Sequence, residues 1–340
     1  MTLEAYRETK HGGGKLKMQA LVRLAQGGDD ARFEAAALLR EAARAEERAL
    51  RLLESPAPEV RLGVAVERCA CLVAALAPTA AAVAWGEVLV EGDGVPEDVV
   101  RAERTKLDPQ YEALQHAHQK ALAVAPTLRA AGFFVPAVTG KARARRELDR
   151  LLRLFPGEVE LWYMRYQATF FEKDYAAAWA AMSKMRDLEP AHPFVHSAEL
   201  VLVPLALPTE EAEKRLDAAY SNLRRGTVTV DAEVFLSFAL ASLSLAKKSS
   251  RPPLHYQRAL EIAELGAAAG LDATQAKSNL RVVRAVAKDL LAGRTPTLDA
   301  FYRAGRGDLV ARASLEERKD PVRLLTGSLP RALGPLPRAA

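Results

Sequence analysis

The chain has 340 residues, enough for one large core or two domains. With 49% hydrophobic and 27% charged residues, its composition is that of a folded globular protein and excludes a disordered or fibrous one. The net charge of +5 permits an acidic partner without requiring one.

Alanine, leucine, arginine and glutamate dominate, and all four favour helix. β-branched runs bounded by turns are nearly absent, so the predicted fold is all-α. The best strand candidate is the short GTVTVDAEVF, 226–235. Residues 1–14 read as a flexible N-terminal arm, because HGGG is poor helix material. The N-terminus lacks a continuous apolar core, so no signal peptide and a cytoplasmic location are expected. Residues 15–124 read as an N-terminal helical region. Its first long helix covers 29–55, capped by Asp29 or Asp30 and ended by Ser55-Pro56. Helices over 57–76 and 79–91 follow, then a turn at EGDGVPED and a long helix over 97–125. The closest approach to a membrane span is 73–90, and Pro78 and Glu87 interrupt it. Cys69 and Cys71, two apart on a helix, point about 200° apart and do not bridge each other. They are expected as buried, reduced thiols.

An internal repeat organises 125–226. Tyr175 and Ala178 lie in DYAAAWAAMSKMRDLEP, which ends at Pro190. Ala144 stands thirty-four residues before Ala178, and Pro156 thirty-four before Pro190. Ala212 stands thirty-four after Ala178. The spacing suits a pair of antiparallel helices with a small residue at their closest approach and a proline at the exit turn. One such hairpin cannot bury its apolar stripe alone, so hairpins stack. Residues 227–293 then read as helices near 231–246 and 253–268, joined by AKKSSRPP, and a capping helix to about Leu291. Residues 294–340 read as short helices and an extended tail rich in Pro and Arg. Leu324, Leu325, Leu329, Leu333 and Leu336 recur along that tail. It is either disordered or lies along its own solenoid or a partner.

Catalysis requires a nucleophile with a base, paired carboxylates or a metal set, and no such motif is present. GGK at 13–15 lacks the spacing of a phosphate-binding loop. There is no nucleophile elbow and no dinucleotide fingerprint. His192 and His196 are four apart, but Pro193 between them puts His192 in a turn, so no metal is expected. His116 and His118 diverge on a helix and read as surface residues. RGD at 306–308 is too short to carry meaning. The chain therefore reads as a non-enzyme without a cofactor. In KARARRELDRLLRLF, Arg143, Arg146, Arg150 and Arg153 form one stripe opposite Ala144, Leu148, Leu151, Leu152 and Phe155. The arginines could follow phosphates or an acidic protein. Glu147 and Asp149 beside them fit a solvated face.

Residues 159–192 resemble a tetratricopeptide repeat (TPR) through Trp162, Tyr175, Ala178 and Pro190. Residues 125–158 resemble it through Gly132, Ala144 and Pro156, and 193–226 through Ala212 and Ala219. Two positions depart from the pattern: Arg224 replaces the closing proline, and Tyr166 stands where a glycine is expected. Looser echoes are Ala84, Trp85 and Pro96, and Tyr256 with Ala259. The resemblance implies a right-handed α-solenoid of stacked antiparallel helical hairpins. It implies core packing for Trp162, Tyr175 and Trp179. It further implies a concave, mostly apolar groove lined by Tyr163, Gln167 and Phe170, with Arg129 and Phe133 before them and Phe194, Ser197 and Val201 after. The implied function is a scaffold, adaptor or chaperone-like subunit that binds an apolar or amphipathic segment of another protein, with no membrane involved. Two alternatives stand beside it: nucleic-acid or acidic-partner binding through the arginine stripe, and a structural subunit of a larger bacterial assembly. The alanine- and arginine-rich composition suits a GC-rich bacterial genome.

Overall fold

The computed structural model describes residues 3–125, 141–190, 193–225, 232–268 and 274–325. Among them every regular element is a helix. In chain order these are α1 (Leu3–Gln26), α2 (Asp29–Arg51), α3 (Pro58–Ala74), α4 (Pro78–Glu91), α5 (Glu97–Arg104), α6 (Asp108–Ala123), α7 (Lys141–Leu154), α8 (Val159–Phe171) and α9 (Tyr175–Leu188). There follow α10 (Pro193–Ala206), α11 (Thr209–Arg224), α12 (Ala232–Ala246), α13 (Pro252–Ala268), α14 (Thr274–Leu291), α15 (Asp299–Arg303), α16 (Gly307–Arg312) and α17 (Leu315–Arg318). Among the described residues, no helix is long and apolar enough to cross a membrane.

The chain divides into two compact units, Met1–Ala168 with Ser183–Pro190, and Thr169–Met182 with Ala191–Ala340. In the first unit α1 packs along α2, α2 on α3, and α3 on α4, with α6 against both α3 and α4. Alanines make the close approaches: Ala42, Ala81, Ala84 and Ala144 are fully buried in one continuous core with Leu62, Leu148 and Leu151. In the second unit α12 is central, packed by α10, α13 and α14.

Of the arm expected at 1–14, residues 3–14 are instead part of a 24-residue helix, α1, and residues 1–2 lie outside the described residues. Three glycines oppose helix by about 1 kcal/mol each, yet tertiary contact prevails. Gly13 is buried against α2, where an added Cβ would lie 3.4 Å from the Cβ of Ala45. The single helix expected over 97–125 is two, because Asp108-Pro109 starts a new one after the turn at 105–107. Of the strand candidate 226–235, residues 226–231 lie outside the described residues and 232–235 open α12. Of the expected extended tail, 321–325 is helical, with Leu324 and Leu325 buried. Leu329, Leu333 and Leu336 lie outside the described residues.

The thirty-four-residue period appears in the helix starts. Lys141, Tyr175 and Thr209 are each thirty-four apart, as are Val159 and Pro193. Ala144, Ala178 and Ala212 are all completely buried, followed four residues on by buried Leu148, Met182 and Leu216. The turn between α8 and α9 uses Lys173 at φ 63°, with the amide of Asp174 returning to the carbonyl of Thr169. Asp174 then caps α9 by accepting the amide of Ala177 at 3.1 Å.

Two buried polar groups tie the first unit together. Arg40 of α2 donates to the carbonyls of Gly157 and Leu188 and pairs with Glu189 at 2.6 Å. Glu158 sits at the start of α4 and accepts the amide of Thr79.

Candidate functional site

Helix α10, PFVHSAELVLVPLA, is apolar around most of its circumference. Val195, Ala198, Leu200, Val201, Leu202 and Val203 are all buried. His196 and Glu199 break that pattern at i and i+3, with Leu200 and Val203 completing the stripe at i+4 and i+7. This stripe faces a cleft of about 330 Å³ whose other walls are α11 and α12. From α11 come Arg215, Leu216, Ala219, Asn222 and Leu223, and from α12 Val234 and Phe238.

Leu200, Val203, Leu216, Val234 and Phe238 are buried and form its apolar lining. Its polar groups are exposed His196, Asn222 and the Glu199–Arg215 ion pair at 3.3 Å. Arg215 also pairs with Glu211 at 2.9 Å, and its guanidinium lies 5.2 Å over the ring of Trp179. An apolar floor under a few oriented polar groups can seat a large apolar side chain and recognise what flanks it. Two carboxylates around one guanidinium favour a basic neighbour to that side chain.

A second cluster, in the loop before α13, contains a serine, a histidine and a carboxylate. The Ser249 hydroxyl donates to Glu213 Oε1 at 2.5 Å and accepts the amide of Arg251 at 3.0 Å. His255 Nε2 lies 3.0 Å from Ser249 Oγ and 3.3 Å from Glu213 Oε1. Acid and hydroxyl thus meet the same ring nitrogen, whereas a catalytic relay places them on opposite ones. Nδ1 of His255 is buried without a hydrogen-bond partner among the described residues. Ser249 and Arg251 hold the Glu213 carboxyl down to about 2. Burial depresses His255 below its ordinary range and so keeps it neutral. The cluster fastens the loop to α11 and α13. Cys69 and Cys71 are free, buried thiols, pushed by burial up to about 12 and about 11. Among the described residues no group of three or more His, Cys, Asp or Glu could hold a metal ion.

The residues expected to line an open groove are placed otherwise. Tyr163, Gln167, Phe170 and Val201 are buried, at 1%, 7%, 8% and 5% exposure, so they are core side chains. Tyr163 is among the largest fully buried side chains. Phe133 lies outside the described residues, and the Phe194 backbone lies in the first turn of α10. The aromatic residues expected in the core are the less buried ones. Trp162 is half-buried, donating Nε1–H to the carbonyl of Pro156 at 2.9 Å and meeting Phe33 edge-on. Tyr175 and Trp179 are half-buried as well. The reason is that α8, VELWYMRYQATFF, is apolar on nearly every side, so ring type alone does not mark its core face.

The arginine stripe is not continuous. Arg146 and Arg153 are exposed, but Arg150 donates to the Ala121 carbonyl at 2.9 Å and serves the end of α6. Of Arg143, the backbone opens α7. Asp149 pairs with Arg165 at 2.9 Å. His118 lies edge-on to Phe155, while His116 is exposed. His192 lies outside the described residues. Arg306 of the RGD triplet is buried and paired with Asp308 at 2.9 Å.

Of the residues of the α10–α11–α12 cleft, sequence named only His196, weighed as a metal ligand, and Ala219, a repeat position, and read neither as lining a cleft. The available signal was His196 and Glu199, two polar residues a turn apart on a helix whose only other polar residue is Ser197. Compared with protein-family models, with curated proteins and with solved structures, the chain finds no match.

Proposed function

We propose that the protein is a non-enzymatic, cytoplasmic interaction module of tetratricopeptide-like hairpins stacked into a right-handed solenoid. Its ligand is an apolar or amphipathic segment of another protein, and it acts as a scaffold, adaptor or chaperone-like subunit. The cleft between α10, α11 and α12 carries this reading, since it combines a buried apolar lining with a charged rim. The thirty-four-residue recurrence of helix starts and the buried alanines at 144, 178 and 212 support the repeat assignment. The ligand presents one large apolar side chain to Leu200, Leu216 and Phe238, and a basic residue beside it to Glu199 and Glu211. The segment docks as an amphipathic helix, with anchors one turn apart.

A fluorescein-labelled amphipathic peptide of leucine and lysine is a suitable probe. Fluorescence anisotropy should show saturable binding to the wild-type chain. Ala219→Trp, which fills the cleft from its half-buried wall, should abolish binding while leaving helical circular dichroism unchanged. Equal binding by Ala219→Trp would show that the cleft is not the binding site.

A further inference from the structure

Helix α4 has apolar residues on both of its faces. Ala81, Ala84 and Val88 point into the core and are fully buried. The opposite face is Ala82, Val83, Gly86, Leu89 and Val90, all exposed, with Val90 72% open to solvent. No charged side chain of α4 lies on that face. Glu87 and Glu91, the helix's two charged residues, pair with Arg68 and Arg61 of α3. A surface helix normally turns polar residues to water, and a contiguous apolar patch marks a contact surface.

We propose that this face joins a second copy of the chain, α4 against α4, antiparallel about a two-fold axis at Gly86. A Cβ on Gly86 would meet nothing within 4 Å in the single chain, so glycine there leaves room for a second backbone. Residues equally distant from the axis oppose each other. Each Ala82 receives the other chain's Val90, small against large, and Val83 meets Leu89. At the ends, exposed Asp93 comes to the partner's first helical turn at Thr79. The Thr79 amide there is already held by Glu158, so the partial positive charge of the helix's first turn adds only a weak attraction for Asp93 to the match in shape. An isologous contact makes every such pairing twice.

A membrane surface fits this face less well. Interfacial helices carry Lys or Arg beside the apolar stripe, and α4 carries only acids. The exposed Met18, Leu21 and Val22 of α1 differ in kind, since Lys15, Gln19 and Arg23 lie among them. A helix of fourteen residues is about 21 Å long. The contact is therefore smaller than a standard stable interface, and the dimer is weak and concentration-dependent.

Sedimentation equilibrium of the full chain from about 1 μM to about 1 mM tests this. The wild-type chain should pass from monomer to dimer across that range. Gly86→Leu has space in the monomer and improves helix propensity, so it should keep the helical spectrum and thermal midpoint but remain monomeric. Gly86→Cys should give a disulfide-linked dimer on oxidation, and Leu24→Cys should not. A wild-type chain that stays monomeric throughout overturns the proposal, whether or not it binds phosphatidylcholine vesicles. So does a dimer that Gly86→Leu leaves intact.

Discussion

Glu158 Oε2 accepts the backbone N–H of Thr79 at 2.9 Å, so a carboxyl that is only 2% exposed closes the N-terminus of α4. Its other oxygen, Oε1, is buried as well. Burial first, and then the hydrogen bond and charge of Glu160, raise this carboxyl well above its ordinary range.

A carboxyl raised in the folded state favours folding below the ordinary carboxylate range. It loses that contribution as pH rises through the folded value. Glu158→Gln keeps an acceptor for Thr79 and cannot ionise. Its thermal midpoint should exceed that of the wild type at pH 8, with the gap closing toward pH 4. Thermal melts at the two pH values check this, and a variant destabilised equally at both would refute it.

The neighbouring Gly157 is fixed by contact. An added Cβ would lie 2.2 Å from the Ala75 carbonyl oxygen, so backbone must move. Gly157→Ala should cost about 3 kcal/mol, the upper end for overpacking, measured by urea denaturation. Gly63→Ala, with open space around it, should change stability by far less.

Much of the fold was legible because helix propensity and repeat spacing agree. Ala144, Ala178 and Ala212 were singled out from their spacing, and each is completely buried. Helix α1 was not legible, since HGGG argues against helix locally and only packing at Ala45 explains Gly13. The break between α5 and α6 had a signal in Asp108-Pro109, a helix start within a helical run. Tyr163 and Phe170 were assigned to a groove by resemblance, yet are buried on a helix with too few polar residues to mark a solvent face. The cleft draws on residues from 196 to 238 across three helices. No local pattern reports such a juxtaposition.

The Glu213–Ser249–His255 latch should make the protein sensitive to acid. Both Glu213 and His255 are depressed in the folded state. Each therefore favours folding above its ordinary range and loses that contribution as pH falls. The histidine acts first, below the ordinary imidazole range, and Glu213 follows as pH falls toward about 2. Glu213→Gln should lower stability at pH 7 by about 1.5–3 kcal/mol, the scale of a hydrogen bond to a charged group. Denaturant titrations from pH 7 to pH 3 should show that difference shrinking. A constant difference would show that the carboxylate's charge is irrelevant to the latch.

If the α10–α11–α12 cleft receives an apolar anchor, methyl-resolved NMR during titration with the leucine–lysine peptide will locate it there. Shifts should concentrate on the methyls of Leu200, Val203, Leu216, Leu223 and Val234. Saturable shifts centred on other methyls, such as Val83, Leu89 and Val90 of α4, or no shifts at all, would contradict it.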